Sequence, residues 1–251
     1  MTNAGAQASI GTALLASQDA VAIGQITECL KELAMSVESC AEAHSVLNLL
    51  NQRKFEAVMV DMRLGGEVTT IIEQARSSPA NRTAVAFAIA GGDQAASAFK
   101  SGANFIFQTP LNPESVSQTL KVAFGLIVRE RRRNFRCPIC VPVTIQRKGA
   151  WPEVLGSTVN ISENGLALTA PVPLMAGVQG TVRFTLPAFN SPLEAEAKVC
   201  WSNPKGQAGL FFLSVTPDRS ELQAWLARQL EQHLPESVAK KFRQSSGEIP
   251  K

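Results

Sequence analysis

A chain of 251 residues, 45% hydrophobic and 18% charged, has the length of about two ordinary domains and enough apolar side chains to give each a core. That composition excludes a disordered or charge-tail protein, and no apolar run approaches the ~20 residues of a membrane helix. The net charge of +3 is uneven: Met1 to Leu120 holds 7 Lys/Arg against 11 Asp/Glu, Lys121 to Lys251 holds 17 against 10, and only the second half has the field to attract an anion.

The first half alternates strands and helices. Ile10 to Ala16 reads as a short apolar strand, Ala20 to Leu33 as a helix, and Met35 to Ser39 as a weak strand. A helix over Ala43 to Leu50 leads to Phe55–Asp61, an apolar run that ends in an acid. Val68 to Ala75 is helical, Thr83 to Ala90 is a strand stopped by Gly91-Gly92, and Asp93 to Ser101 is a helix closed by Gly102. Gly91-Gly92 is a turn rather than a phosphate loop, because no Lys follows. A strand over Asn104 to Phe107 precedes a long helix from Pro113 to Arg131, capped by Asn112, with the stripe Val116, Leu120, Ala123, Phe124 and Ile127. Five such units imply a parallel sheet covered on both faces, whose sites lie at the carboxyl ends of the strands.

The β-α order, Val58-Met59-Val60-Asp61 at a strand end, and Ala98 to Pro110 before the last helix together resemble the receiver domains of two-component signalling, over about residues 9–128. The resemblance implies a flavodoxin-like fold with Asp61 as phosphoacceptor. Its helpers are missing. Where the family places two acids for Mg²⁺ stand Ser17 and Gln18, with Asp19 one step late. Thr109 stands where the family has Lys, and Ala90 where it has Ser or Thr. Phosphoryl transfer rests on stabilisation by that metal and a cation, so Asp61 is expected to be a vestigial phosphoacceptor.

From Arg136 the pattern changes to short strands: Val141–Gln146, Val154–Ile161, Gly165–Thr169, Gly180–Leu186, Glu194–Trp201 and Ala208–Ser214, parted by Gly, Pro, Asn and Ser at barrel-like intervals. A helix beginning near Pro217, with Leu222, Trp225, Leu226 and Leu230 on one face, closes the domain. Two motifs stand out. Arg132-Arg133-Asn134-Phe135-Arg136 is an R-x-x-x-R preceded by Arg131, and Asn160-Ile161-Ser162-Glu163-Asn164-Gly165 is an [D/N]-x-S-x-x-G. Each is weak alone, since an R-x-x-x-R arises by chance about once in a chain with 14 arginines, but the ordered pair is far rarer.

With Ala197 to Trp201 and Gly209 to Phe212, these motifs resemble the PilZ family of bacterial cyclic di-GMP receptors, over about Arg131 to Leu230. The resemblance implies a six-stranded barrel with a C-terminal helix, and a ligand site of Arg131, Arg132, Arg136, Asn160, Ser162 and Gly165. Asn160 stands where many members have Asp, which keeps an acceptor and loses a charge. A basic residue at Arg131 tends in the family to accompany an intercalated ligand dimer. The chemistry agrees: a guanidinium fork matches phosphate oxygens and guanine O6/N7 and stacks on purines, Asn160 and Ser162 offer acceptors to the guanine N1–H and N2–H₂ edge, and Gly165 lets backbone approach the ligand or take a positive φ.

Blander readings stand beside these. The arginines from Arg129 to Arg136 can serve the helix-end dipole alone, or form a nucleic-acid stripe, although no helix-turn-helix or aromatic RNA motif accompanies them. The Asn160 motif can be only a polar turn. Cys137-Pro138-Ile139-Cys140 lacks a second pair for zinc and does not open a helix as a redox pair does, so it reads as structural. Cys200 is expected in the barrel core, and Trp201 either there or as a wall behind a guanine. Five scattered cysteines and no basic patch before a hydrophobic stretch at the N-terminus suit a cytoplasmic protein. The scarcity of His (His44 and His233, both read as surface helix residues) and the absence of a catalytic set weigh against an enzyme.

The expected organisation is therefore a receiver-like, non-phosphorylated domain over 1–128, a PilZ domain with an arginine-rich hinge over 129–236, and a flexible tail over 237–251. The expected function is a cyclic di-GMP effector without cofactor or metal, acting on an unidentified partner protein and not on membrane, with a homodimer left open. The alternatives are a phosphorylation-controlled response regulator and a structural module that binds no nucleotide.

Overall fold

The computed structural model describes residues 9–65, 68–147 and 153–244; most of the N-terminal stretch read for a leader, Pro152, and residues 245–251 of the expected tail lie outside them. The chain divides into two compact units, Met1–Arg131 with His233–Lys251, and Arg132–Gln232.

In the first unit the expected elements form in order: β1 (Gly11–Ala16), α1 (Ala20–Glu32), β2 (Met35–Cys40), α2 (Ala43–Gln52), β3 (Ala57–Asp61), α3 (Val68–Ser77), β4 (Val85–Ala90), α4 (Gly92–Lys100), β5 (Phe105–Gln108) and α5 (Pro113–Asn134). The five strands are parallel in the order β2-β1-β3-β4-β5, the flavodoxin-like arrangement. β3 and β4 are buried along their whole length, as strands covered on both faces must be. Phe87 stacks between Phe105 and Phe107 at centroid distances of 5.3 and 5.1 Å. Asn112 caps α5 through its Oδ1, which accepts from the amides of Glu114 and Ser115 at 2.8 and 3.3 Å. Gly102, at φ +106°, follows α4 as its left-handed stop.

α5 runs three residues past the expected Arg131. The segment Arg129 to Asn134 contains neither Gly nor Pro, and its cations sit at the negative end of the helix dipole. Glu130 is buried within that turn and bonded to Lys54 and to the Thr83 hydroxyl.

The second unit begins with a strand absent from the sequence reading, β6 (Cys137–Pro138). It continues through β7 (Pro142–Arg147), β8 (Val154–Ser162), β9 (Gly165–Thr169), β10 (Gln179–Phe184), β11 (Leu193–Ser202), β12 (Gln207–Thr216) and α6 (Arg219–Gln232). All pairings are antiparallel, in the order β6-β8-β7-β10-β11-β12-β9, and a further β8–β9 ladder closes β7 to β12 into a six-stranded barrel with β6 as an extra edge on β8. Its core holds Val143, Ile145, Leu166, Val182, Phe184, Val199 and Phe212, while α6 buries Leu222, Trp225, Leu226 and Leu230. The Trp225 indole donates to the Pro187 carbonyl at 3.1 Å, so its polar end is satisfied inside.

Two expectations are corrected here. The stretch taken as tail carries a helix, α7 (Glu236–Gln244), within the first unit; Val238 and Ala239 are buried, and Arg243 pairs with Glu236 at 2.7 Å. Cys200 is exposed instead of in the core. Leu193, Ala195, Ala197 and Val199 take the inward places of β11, and Cys200 falls on the opposite parity.

Asn81 is fully buried and ties the entry to β3: its amide nitrogen donates to the carbonyls of Leu50 and Arg53 and its oxygen accepts from the Phe55 amide, each at 2.8 Å. Asn81→Ala strands these backbone groups. We expect a loss of about 3 kcal/mol, read as a lower urea midpoint with unchanged slope.

Candidate functional site

The two sequence motifs meet because β6 pairs with β8. Cys137 stands opposite Ile161 and Pro138 opposite Asn160, and the same register continued by one step sets Arg136 against Ser162. Phe135 and Cys137 are buried on either side of Arg136, which is exposed. The result is a concavity of about 390 Å³ lined by Arg136, Asn160, Ser162 and Gly165 of the motifs, with Trp201, Gly209 and Phe211 among the other walls.

Its floor is a row across four strands: Asn160, Ala167, Gly209 and Trp201 are successive register partners on β8, β9, β12 and β11, and Pro138 of β6 pairs with Asn160 beyond it. Small residues in the middle make a trough between the amide of Asn160 and the indole of Trp201. Both end residues follow a β-bulge. Val159 is the extra residue in β8, so Ile161 turns into the core and Asn160 turns out. Cys200 is the extra residue in β11, and Trp201, which strict alternation would send inward with Val199, is turned out and is 49% exposed. Of the two places expected for Trp201, the core is excluded: the ring lines the concavity.

The glycines serve strand crossing. A Cβ on Gly165 would lie 2.1 Å from the Leu210 carbonyl oxygen, and its φ is not positive, so the absent side chain serves close backbone packing and the left-handed turn expected as one of its two roles is not formed. A Cβ on Gly209 would meet the Trp201 indole at 2.1 Å, so its absence lets that ring lie flat across β12. Nothing in sequence marked Gly209 as a site residue, because its partner is set by the bulge.

Ser162 is buried, and its hydroxyl donates to the Gly165 carbonyl at 3.0 Å, which spends its proton on the turn and leaves its lone pairs as acceptors. Asn160 Oδ1 is buried and has no hydrogen-bond partner among the described residues. A buried acceptor without a donor is costly, and here it lines the trough.

Arg131 and Arg132 do not line it. Arg132 lies 3.8 Å from Glu231 of α6, with burial lowering its pKa against the pull of that carboxylate. Arg131 lies 3.7 Å from Glu56 in the first unit. Glu56 is itself buried, which raises its pKa, and it accepts from the Thr12 amide at 2.7 Å. Of the cysteine pair, Cys137 is buried and Cys140 exposed. His44 and His233 are exposed, the latter just past α6.

Asp61 ends β3 beside Ser17, which follows β1, and both are buried. Burial raises the Asp61 pKa, but the Arg63 guanidinium, the Arg63 amide and the Ser17 hydroxyl outweigh it, so the carboxyl is held below its ordinary value. A depressed folded-state pKa adds stability that is fully present above the unfolded value of about 4 and is lost as pH falls through the folded value. Thermal midpoints taken from about pH 5 down to 2 should therefore fall more steeply in wild type than in Asp61→Asn. In a second stability test, Gly165→Ala should cost about 3 kcal/mol, because a backbone carbonyl has to move.

Among solved structures, the chain is similar to a putative response regulator from Chloroflexus aurantiacus J-10-fl (19% identity, TM-score 0.42, covering 47% of this chain and 98% of that one). It is also similar to the receiver domain of a sensor histidine kinase from Pseudomonas aeruginosa PAO1 (17%, 0.41, 46% and 98%). A third likeness is to a chemotaxis response regulator of Vibrio cholerae (15%, 0.41, 44% and 96%). No curated protein matches the chain. Residues 130–228 match the profile of the PilZ domain. The span takes in both motifs, the closed barrel and most of α6, so the match to the PilZ domain covers the second unit, while the first unit has the flavodoxin-like strand order.

Proposed function

We propose that the barrel binds cyclic di-GMP in the trough, and that capture of the ligand by the arginine segment reorients the receiver-like unit toward a partner protein. The observation that carries the reading is the buried Asn160 Oδ1, without a hydrogen-bond partner among the described residues, beside the exposed Arg136 fork. Guanine N1–H and N2–H₂ are donors of the kind that acceptor lacks, and Ser162 adds lone pairs on the same strand. Arg136 matches the phosphates or the guanine O6/N7 edge. Trp201 offers a flat ring for a purine to stack on. Gly165 and Gly209 keep the floor shallow enough for a base to approach.

Arg132 takes part by exchanging Glu231 for a ligand phosphate, a partner that binds a guanidinium through two parallel bonds. The coupling follows from chain continuity. α5 carries the chain from Met1–Arg131 directly into Arg132–Gln232 with no free linker, so bending Arg132 to Arg136 around the ligand changes the direction of that helix end. Arg131 sits by Glu56, and a contact of its own with ligand requires it to leave that carboxylate.

Calorimetric titration with cyclic di-GMP tests the site. Wild type should give heat that GMP does not reproduce, and Arg136→Ala should weaken binding at least tenfold, as loss of a charged bidentate contact does. Absence of heat with wild type rejects the reading. Glu231→Gln removes the carboxylate facing Arg132 and should tighten binding about threefold, the scale of a partly exposed ion pair. Small-angle scattering with saturating ligand should change relative to the free protein, and superimposable curves would reject the reorientation while leaving the site in place.

A further inference from the structure

A second cavity, of about 260 Å³, lies at the carboxyl end of the parallel sheet and is lined by Gln18, Asp19, Asp61, Arg63 and Leu64. It sits at the switch point between β1 and β3, where open α/β sheets place their sites. A receiver fold implies a divalent cation here, and the residues present do not fit one. Hard cations of this kind need carboxylate oxygens with free lone pairs. Ser17 and Gln18 bring none. Asp19 spends Oδ1 on the first turn of α1, accepting from the amides of Val21 and Ala22 at 3.0 and 3.1 Å.

Arg63 takes up the remaining oxygens. Its Nε donates to Asp61 Oδ1 at 2.9 Å and its Nη2 to Asp61 Oδ2 at 2.8 Å, a bidentate fork, while the same Nη2 reaches Asp19 Oδ2 at 3.0 Å. The Arg63 amide donates to Asp61 Oδ1 at 3.0 Å and the Ser17 hydroxyl to Oδ2 at 2.8 Å. A surface ion pair of ordinary kind carries little. This one neutralises a carboxylate whose side chain is 3% exposed, while the guanidinium, at 46%, still touches solvent. The geometry also inverts the family's layout: with Thr109 and Ala90 standing where the family has Lys and Ser or Thr, the cation that lines the cavity, among the described residues, comes from the residue two positions after the acid.

We propose that the Arg63 guanidinium is the permanent counter-cation of this site, standing in place of a metal ion and closing Asp61 to metal binding and to phosphoryl transfer. The proposal is independent of what the barrel binds. Removing the guanidinium leaves two carboxylates facing one cavity, a set that a divalent cation can use.

Manganese is the probe, followed by water-proton relaxation on the full chain. Wild type should show no site for Mn²⁺ at millimolar concentration. Arg63→Ala should bind Mn²⁺ at least tenfold more tightly than wild type, and Arg63→Ala combined with Asp61→Asn should lose that gain. Arg63→Met, which keeps the apolar stem, takes the place of the alanine variant if circular dichroism shows the latter unfolded. Wild type binding Mn²⁺ as well as the variant overturns the proposal, and so does a folded variant with no gain. Acetyl phosphate with Mg²⁺ gives a second readout by intact mass: wild type should stay unmodified, and a labile phosphoryl mass that disappears in Asp61→Ala overturns the closure.

Discussion

The barrel site depends on a pairing of two residues. Cys137 and Pro138 hydrogen-bond to the end of β8, and only this short edge brings the segment after α5 against the Asn160–Gly165 turn. Without it the arginines would end a helix and the turn would close a hairpin, each with a purely local role. The pairing is held from both sides, by Phe135 and Cys137 buried in the unit and by α6 packed against β6 and β12. A strand this short contributes little stability of its own, so its position is set by those neighbours, and the exposed Arg136 between two buried residues is the consequence.

Two bulges do the remaining placement. In a closed barrel every second side chain belongs to the core, and a polar Asn or a large indole at an inward position would have to be buried there. The extra residues Val159 and Cys200 each shift the parity once, so that Asn160 and Trp201 come to face the same outer trough while Ile161 and Val199 remain inside. The glycine and alanine between them keep the floor low. The site is thus a local break in the alternation that builds the rest of the barrel.

That explains what sequence disclosed and what it did not. Periodicity located the five βα units, the six barrel strands and α6, because those signals are repeated along each element and reinforce one another. The motif residues Arg136, Asn160, Ser162 and Gly165 share a cavity, and the turn chemistry that marked them is local. Parity cannot be read through a bulge, so the sequence leaves Trp201 open between core and trough. Cys200, expected in the core, is a different case: the alternating run from Leu193 to Val199 places it on the outward parity, and the structure has it exposed. β6 is too short to show a period. Arg63 escaped notice because its meaning lies in a bond to the residue two before it and to an acid 44 positions away.

The two strand-end sites of this chain differ in how their polar groups are balanced, and the difference bears on which of them takes a ligand. Asp61 and Asp19 are matched inside the protein by a cation, a hydroxyl and backbone amides, so a ligand there has to displace bonds already made. In the trough the buried Asn160 oxygen has no partner among the described residues, and Arg136 is exposed beside it. A ligand offering donors and anionic oxygens gains bonds there and breaks few. Desolvation, which opposes most polar association, has already been met in folding for that buried oxygen. In the proposed binding mode the cost falls on Arg132, the motif arginine held against a carboxylate of its own unit, since a ligand that recruits it has to better Glu231. Because Arg132 lies on the last turn of α5, which runs from one unit into the other, the proposed exchange of one anionic partner for another would fall on that helix.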